Sequence, residues 1–216
     1  YDTDLFFPLL QQLEKISGKK YQENTKAFRI ISDHVKTITF LLAEDVFPSN
    51  VGRGYIVRRL IRRAMRNGRI LGLQKPFLSE LLGTVRKIYS AHYPRIQKIS
   101  IEEALRKEEE KFLKTLEKGL KRISRILEEN QNMISGQDAF DLFTTYGFPL
   151  ELTEEIAREN GRGVDQKTFE EEFKKHQELS RTSSAGMFKG GLADHSSETR
   201  NLHTATHLLY ATLRKI

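Results

Sequence analysis

The chain has 216 residues, 38% hydrophobic and 30% charged, which suffices for one packed domain or two small ones under a soluble coat. With no cysteine it has no disulfide, no thiolate metal site and no thiol nucleophile, and no run of about 18 apolar residues is present to span a membrane. A formal net charge of +7 and a pI near 9.5 favour a polyanionic partner. The opening Tyr1-Asp2-Thr3-Asp4 lacks the layout of a secretory signal, so the chain reads as cytoplasmic.

Helical periodicity runs through nearly all of it. Leu5, Leu9, Leu13 and Ile16 predict a helix over 4–16 that stops at Gly18. Asn24 is placed to cap a second helix with Phe28, Ile31, Val35, Ile38 and Leu42 on its apolar stripe, ending before Pro48. A third helix is expected over 54–71, with Ile56, Leu60, Met65 and Ile70 meeting the core, and a fourth over 76–91. Ser100 with Glu103 reads as a capping box opening the longest helix, to about 130, whose apolar positions are Leu105, Phe112, Leu116, Ile123 and Leu127. Ser135 with Asp138 starts a short helix, Tyr146-Gly147-Phe148-Pro149 breaks it, and another follows over 151–159. Asp165 caps a helix to about 180. Ser183-Ser184-Ala185-Gly186 and Gly190-Gly191 read as linker, and a last helix is expected over 198–216. No strand alternation is visible, so the fold class is all-α and bundle-like: a helical domain over 1–181, a linker over 182–198 and a terminal helix over 199–216.

One segment stands out for charge. Between Val46 and Ser79 lie Arg53, Arg58, Arg59, Arg62, Arg63, Arg66, Arg69 and Lys75, with no Asp or Glu. Positions 58, 62, 66 and 69 share a helical face, with 59 and 63 adjoining it. Like charges so spaced repel, so something should offset them. Planar guanidinium groups fork onto phosphate oxygens, which favours a phosphate-tracking helix; the alternative is neutralisation by carboxylates of other helices or by solvent. The runs Glu108-Glu109-Glu110 and Glu170-Glu171-Glu172 read as solvated surface. His203 and His207 sit four apart on one face, a spacing able to hold zinc, but Thr204 stands where a metalloprotease needs glutamate. Alone they form a half-site or are solvent-facing. No Gly-rich phosphate loop or nucleophile elbow is present.

Several segments together resemble the alanyl-tRNA synthetases. They are Tyr1-Asp2-Thr3-Asp4-Leu5-Phe6, Ile31-Ser32-Asp33-His34-Val35, Pro48 to Tyr55 followed by Arg58 to Arg63, Thr145 to Leu150, and Leu202 to Leu209. The order is that of the family and the resemblance spans essentially the whole chain. It implies a helical region that grips the tRNA-Ala acceptor stem and reads its G·U pair through polar side chains. One is an Asn matching Asn50. The other is an acidic residue just before Tyr-Gly-Phe-Pro, where this sequence has Thr144, Asp141 falling three residues too early. Arg53, Arg58, Arg59, Arg62, Arg63 and Arg66 are then expected to grip the RNA. The resemblance also implies partner catalytic and editing domains in the same enzyme, ATP and magnesium in the catalytic one, and zinc in the editing one. There His203 and His207 would be completed by a Cys and a His beyond Ile216. No β-barrel insertion precedes the editing segment. Two other readings stay open: a zinc hydrolase with a helical prefix, and a helical module whose arginines meet an acidic protein.

Overall fold

The helices end where local chemistry stops them. In the computed structural model, which describes residues 1, 3–129, 132–187 and the single positions 205 and 212, α1 spans Phe7–Ser17. It closes on Gly18, whose left-handed φ of 69° lets its N–H reach the Glu14 carbonyl at 2.8 Å. Helix α2, Thr25–Ala43, is capped as expected, the Asn24 side chain accepting from the Ala27 amide at 3.1 Å. Its stripe from Phe28 to Leu42 is fully buried, and each such side chain contributes about 1.5–3 kcal/mol over exposure. Helices α3, Gly52–Ile70, and α4, Leu78–Tyr89, pack against α2, with α1 against α4.

Helix α5, Ile99–Glu129, is the longest. It begins one residue before Ser100, so that serine lies inside the first turn rather than at the cap. Helix α6, Gly136–Thr145, keeps its expected cap, Ser135 Oγ accepting from the Asp138 amide at 3.1 Å. After the Tyr-Gly-Phe-Pro turn comes α7, Leu150–Glu159. Two short strands that the sequence pattern does not announce, β1 (Met133–Ile134) and β2 (Gly163–Val164), pair in parallel, Met133 opposite Gly163 and Ile134 opposite Val164. Two residues are too few to show an alternation. The protein is otherwise all-α, and no helix among the described residues is long and apolar enough to cross a membrane.

Three expectations about these helices change. The buried face of α3 is Val57, Ile61, Ala64, Met65 and Gly68, while Ile56 and Ile70 are exposed. Positions 57, 61, 64, 65 and 68 form one helical face, which the arginine pattern obscured. Glu108 and Glu109 are buried and only Glu110 of that run faces solvent, because 105, 108, 109, 112 and 116 lie on the core side of α5. Helix α8 spans Gln166–Met187, six residues past Arg181 and into the expected linker. Serine and alanine there cost a helix little, and the first glycine, Gly186, falls in its last turn. Two units divide the chain, Tyr1–Gln166 and Lys167–Ile216. The expected final helix over 198–216, with His203 and His207, lies outside the described residues except for positions 205 and 212.

Candidate nucleic-acid interface

Six of the seven arginines of α3 are occupied by carboxylates. Arg62 is 7% exposed, and its Nε and Nη2 donate to Glu108 Oε1 at 2.9 and 2.6 Å, while Nη1 donates to the Gly147 carbonyl. Arg58 Nε lies 3.2 Å from the same Glu108 oxygen, close enough for an ion pair but not aligned as a hydrogen bond. Along α7, Arg59 pairs with Glu151 at 2.6 Å, Arg63 with Glu155 at 2.7 and 2.9 Å, and Arg66 with Glu159. Arg69 pairs with Glu117 of α5. Of the two explanations for the arginine cluster, the geometry fits neutralisation by other helices. Arg62 and Arg66 are buried side chains, and fully engaged guanidinium groups have few N–H donors left for phosphate. Only Arg53 of the expected grip residues is exposed with no ion pair or hydrogen bond among the described residues.

The charges respond to this packing. Burial pulls the Arg62 pKa down, and Glu108 beside it works against that. Hydrogen bonds to Glu155 raise Arg63. Arg66 and Lys26 hold Glu159 at about 2, well under the usual carboxylate range. His34 is kept neutral by burial and by the neighbouring Arg63. Its ring Nε2 lies 3.0 Å from Arg63 Nη1 and its Nδ1 3.2 Å from Asp33, so the neutral ring carries its proton on Nδ1.

This framework holds the two candidate readers. Asn50 is exposed in the loop after Pro48, with its Oδ1 accepting from Arg58. Ser49 stabilises the loop, its Oγ donating to the Val51 carbonyl at 2.7 Å. Gly54 is required at the start of α3 because a Cβ there would strike the Phe47 carbonyl and Ser49. Thr144 is exposed on α6, its hydroxyl donating to the Phe140 carbonyl at 3.0 Å. Asp141 is half-buried and turned to other work, accepting from Thr145 at 2.8 Å and lying 4.0 Å from Arg122. The turn after α6 is fixed by Gly147 at φ 74° and by Thr115 of α5, whose hydroxyl donates to the Tyr146 carbonyl at 2.7 Å. Through Glu108, one ion-paired chain runs from Asn50 by Arg58 and Arg62 to Gly147. Sequence reasoning missed Glu108, Glu151, Glu155 and Glu159. For Glu108 the available signal was its place in the apolar register of α5.

No group of three or more His, Asp or Glu among the described residues is arranged to hold a metal ion, and His203 and His207 lie outside them.

Comparison with known proteins shows the family to which this helical framework belongs. A family model described as tRNA synthetases class II (A) matches residues 1–215, and the chain belongs to that family. Within it, the chain is similar to alanine–tRNA ligases. That of Borrelia hermsii (strain HS1 / DAH) is 46% identical over 224 aligned positions, covering 100% of this chain and 38% of the relative. That of Treponema pallidum (strain Nichols) is 46% identical over 227, with the same coverage. That of Leptospira biflexa is 45% identical over 193, covering 86% of this chain and 21% of the relative. The chain thus spans well under half the length of these relatives.

Proposed function

We propose that this chain is the part of an alanine–tRNA ligase that binds the acceptor stem of tRNA-Ala and reads a G·U pair in it, the whole enzyme activating alanine with ATP and charging the tRNA. The observation that carries the reading is Asn50, an exposed amide fixed by Arg58 within a chain whose whole length aligns with 38% of the Borrelia hermsii ligase. With Oδ1 held by Arg58, the exposed amide keeps its NH2 to donate to a carbonyl oxygen of a base edge. Thr144 complements it. Its proton is given to Phe140, so its oxygen is left to accept, as from a guanine amino group, though more weakly than a carboxylate. Sequence reading in RNA by a few polar groups in the shallow minor groove suits both.

The partners in this reading are the acceptor stem and the catalytic and editing domains of the same enzyme. In this reading ATP and magnesium serve the catalytic domain of that enzyme. Zinc would take His203 and His207 as two ligands and needs two more for a tight tetrahedral site.

The test is competition binding of matched acceptor-stem minihelices carrying G·U or G·C at fixed salt, with transfer rates measured in the complete ligase, since discrimination can arise in the transition state. Asn50→Ala should reduce the G·U preference by about 1–3 kcal/mol, the cost of one polar contact, and leave nonspecific affinity nearly intact. Thr144→Asp should sharpen it. An unchanged G·U to G·C ratio in both assays for Asn50→Ala would reduce Asn50 to a turn residue.

A further inference from the structure

With every α3 arginine but Arg53 engaged by a glutamate, a run of exposed, unpaired basic side chains must be sought elsewhere, and α5 carries one. Its 31 residues contain eight Lys or Arg and eight Glu, which looks neutral in sequence. Between 107 and 125 the fold separates the two signs, with exposed Glu103 bounding that stretch at one end and exposed Glu128 and Glu129 at the other. Glu108 and Glu109 are buried, Glu117 pairs with Arg69, Glu102 with Arg86 and Glu110 with Arg106. Lys107, Lys111, Lys114, Lys118, Lys121 and Arg125 are all exposed, and none makes an ion pair among the described residues. Their spacing alternates four and three, which on a helix of 3.6 residues per turn confines them to an arc of about 80° over a length of about 27 Å. Each neighbour along the stripe is a like charge at i,i+3 or i,i+4, an arrangement that weakens a free helix.

The stripe adjoins the Asn50 loop. Lys107 and Lys111 line one groove with Pro48, Arg58 and the carboxylates of Glu103 and Glu108, the latter paired with Arg58, and Arg58 holds the Asn50 amide. At its other end Arg122 of α5 bonds Asp138 of α6 at 2.8 Å, and α6 carries Thr144. We propose that the solvent face of α5, not the arginine helix, follows the phosphates of duplex RNA independently of sequence while Asn50 at its margin meets a base edge. The proposal rests on the RNA-binding reading above and names the surface that supplies its grip. Lysine suits the task, because a hydrated point charge on a flexible stem can pair with any phosphate within reach and imposes no bidentate geometry.

The experiment uses the full chain with Lys111→Gln, Lys114→Gln and Lys118→Gln combined. Affinity is measured against salt for the G·U minihelix, for an unrelated duplex RNA, and for vesicles with and without anionic lipid. Each phosphate that is no longer neutralised lowers the log–log salt slope by about 0.9, so the slope should fall by about 2–3 and affinity for both RNAs by about 10- to 100-fold at about 0.15 M salt. The G·U to G·C ratio should not move, and the melting temperature should hold or rise because repulsion is relieved. An unchanged slope, or a stripe-dependent affinity found only for anionic vesicles, overturns the proposal. A lowered slope with Asn50→Ala inert would uphold the stripe and remove the wobble-pair reading, so the two fail separately.

Discussion

Replacing Glu108 by glutamine removes one negative charge from a place where two arginines converge. Arg62 is left with a guanidinium whose side chain is 8% exposed, over the ring of Phe112 at 5.0 Å and bonded to the Gly147 carbonyl. Breaking a buried pair by removing one partner costs about 3–5 kcal/mol, because the stranded charge keeps its desolvation penalty. The amide oxygen of glutamine can still accept from the guanidinium, so the lower end, about 3 kcal/mol, is expected. In a chain of this size that lowers the melting temperature by roughly 6–12 °C. Arg62→Met with Glu108→Leu together should recover much of the loss, since a packed apolar pair often matches a buried ion pair. Urea unfolding of the wild type, both single variants and the double variant measures the coupling. A cost below about 1 kcal/mol for Glu108→Gln, or a cycle with no coupling between positions 62 and 108, would refute the idea that this pair organises the interface.

Burial pushes the Glu109 carboxyl up to about 7, against the pull of the Phe77 and Leu78 amides that it accepts at 3.0 and 3.1 Å. A carboxyl with a raised folded pKa contributes stability that is fully present below about pH 4.5 and lost as pH rises through about 7, on the order of 3 kcal/mol here. Glu109→Gln should abolish that loss, and parallel urea midpoints for variant and wild type at pH 5 and 8 would contradict it. Gly119 of α5 faces the buried ring of Phe148, and an added Cβ would strike it. Gly119→Ala should therefore destabilise by about 1–3 kcal/mol, whereas Gly83→Ala on α4, with open space around it, should stabilise by about 0.4–1 kcal/mol. The same sign for both in a thermal melt would sink the packing argument.

The helices were legible because their signals are local. Asn24, Ser135 and Gly18 mark ends that the structure reproduces, and the α2 stripe from Phe28 to Leu42 is the core it looks like. The arginine cluster shows where local reading stops. Between Val46 and Ser79 the sequence holds no carboxylate, yet Glu151, Glu155 and Glu159 arrive from more than 90 residues away. Charge pairing across helices leaves no mark in either sequence of which partner each side chain will take. In α5 the same limit acted in reverse, because equal numbers of each sign concealed a segregation that only burial reveals. The strand pair escaped notice for want of length.

The pairs joining α3 to α7 ascend in step: Arg59 with Glu151, Arg63 with Glu155, Arg66 with Glu159. Identical rungs at near-equal spacing are strong but ambiguous. Sliding α7 by one turn would mate Arg59 with Glu155 and Arg63 with Glu159, sacrificing a single rung. What forbids the slip is the set of interactions that cannot be duplicated. Arg62 reaches the Gly147 carbonyl at the turn between α6 and α7, where glycine permits a left-handed backbone, and Thr115 of α5 donates to the neighbouring Tyr146 carbonyl at 2.7 Å. The ladder binds the two helices, and these unrepeated bonds tell it which rung comes first, much as a lone polar residue sets the register of an otherwise uniform coiled coil.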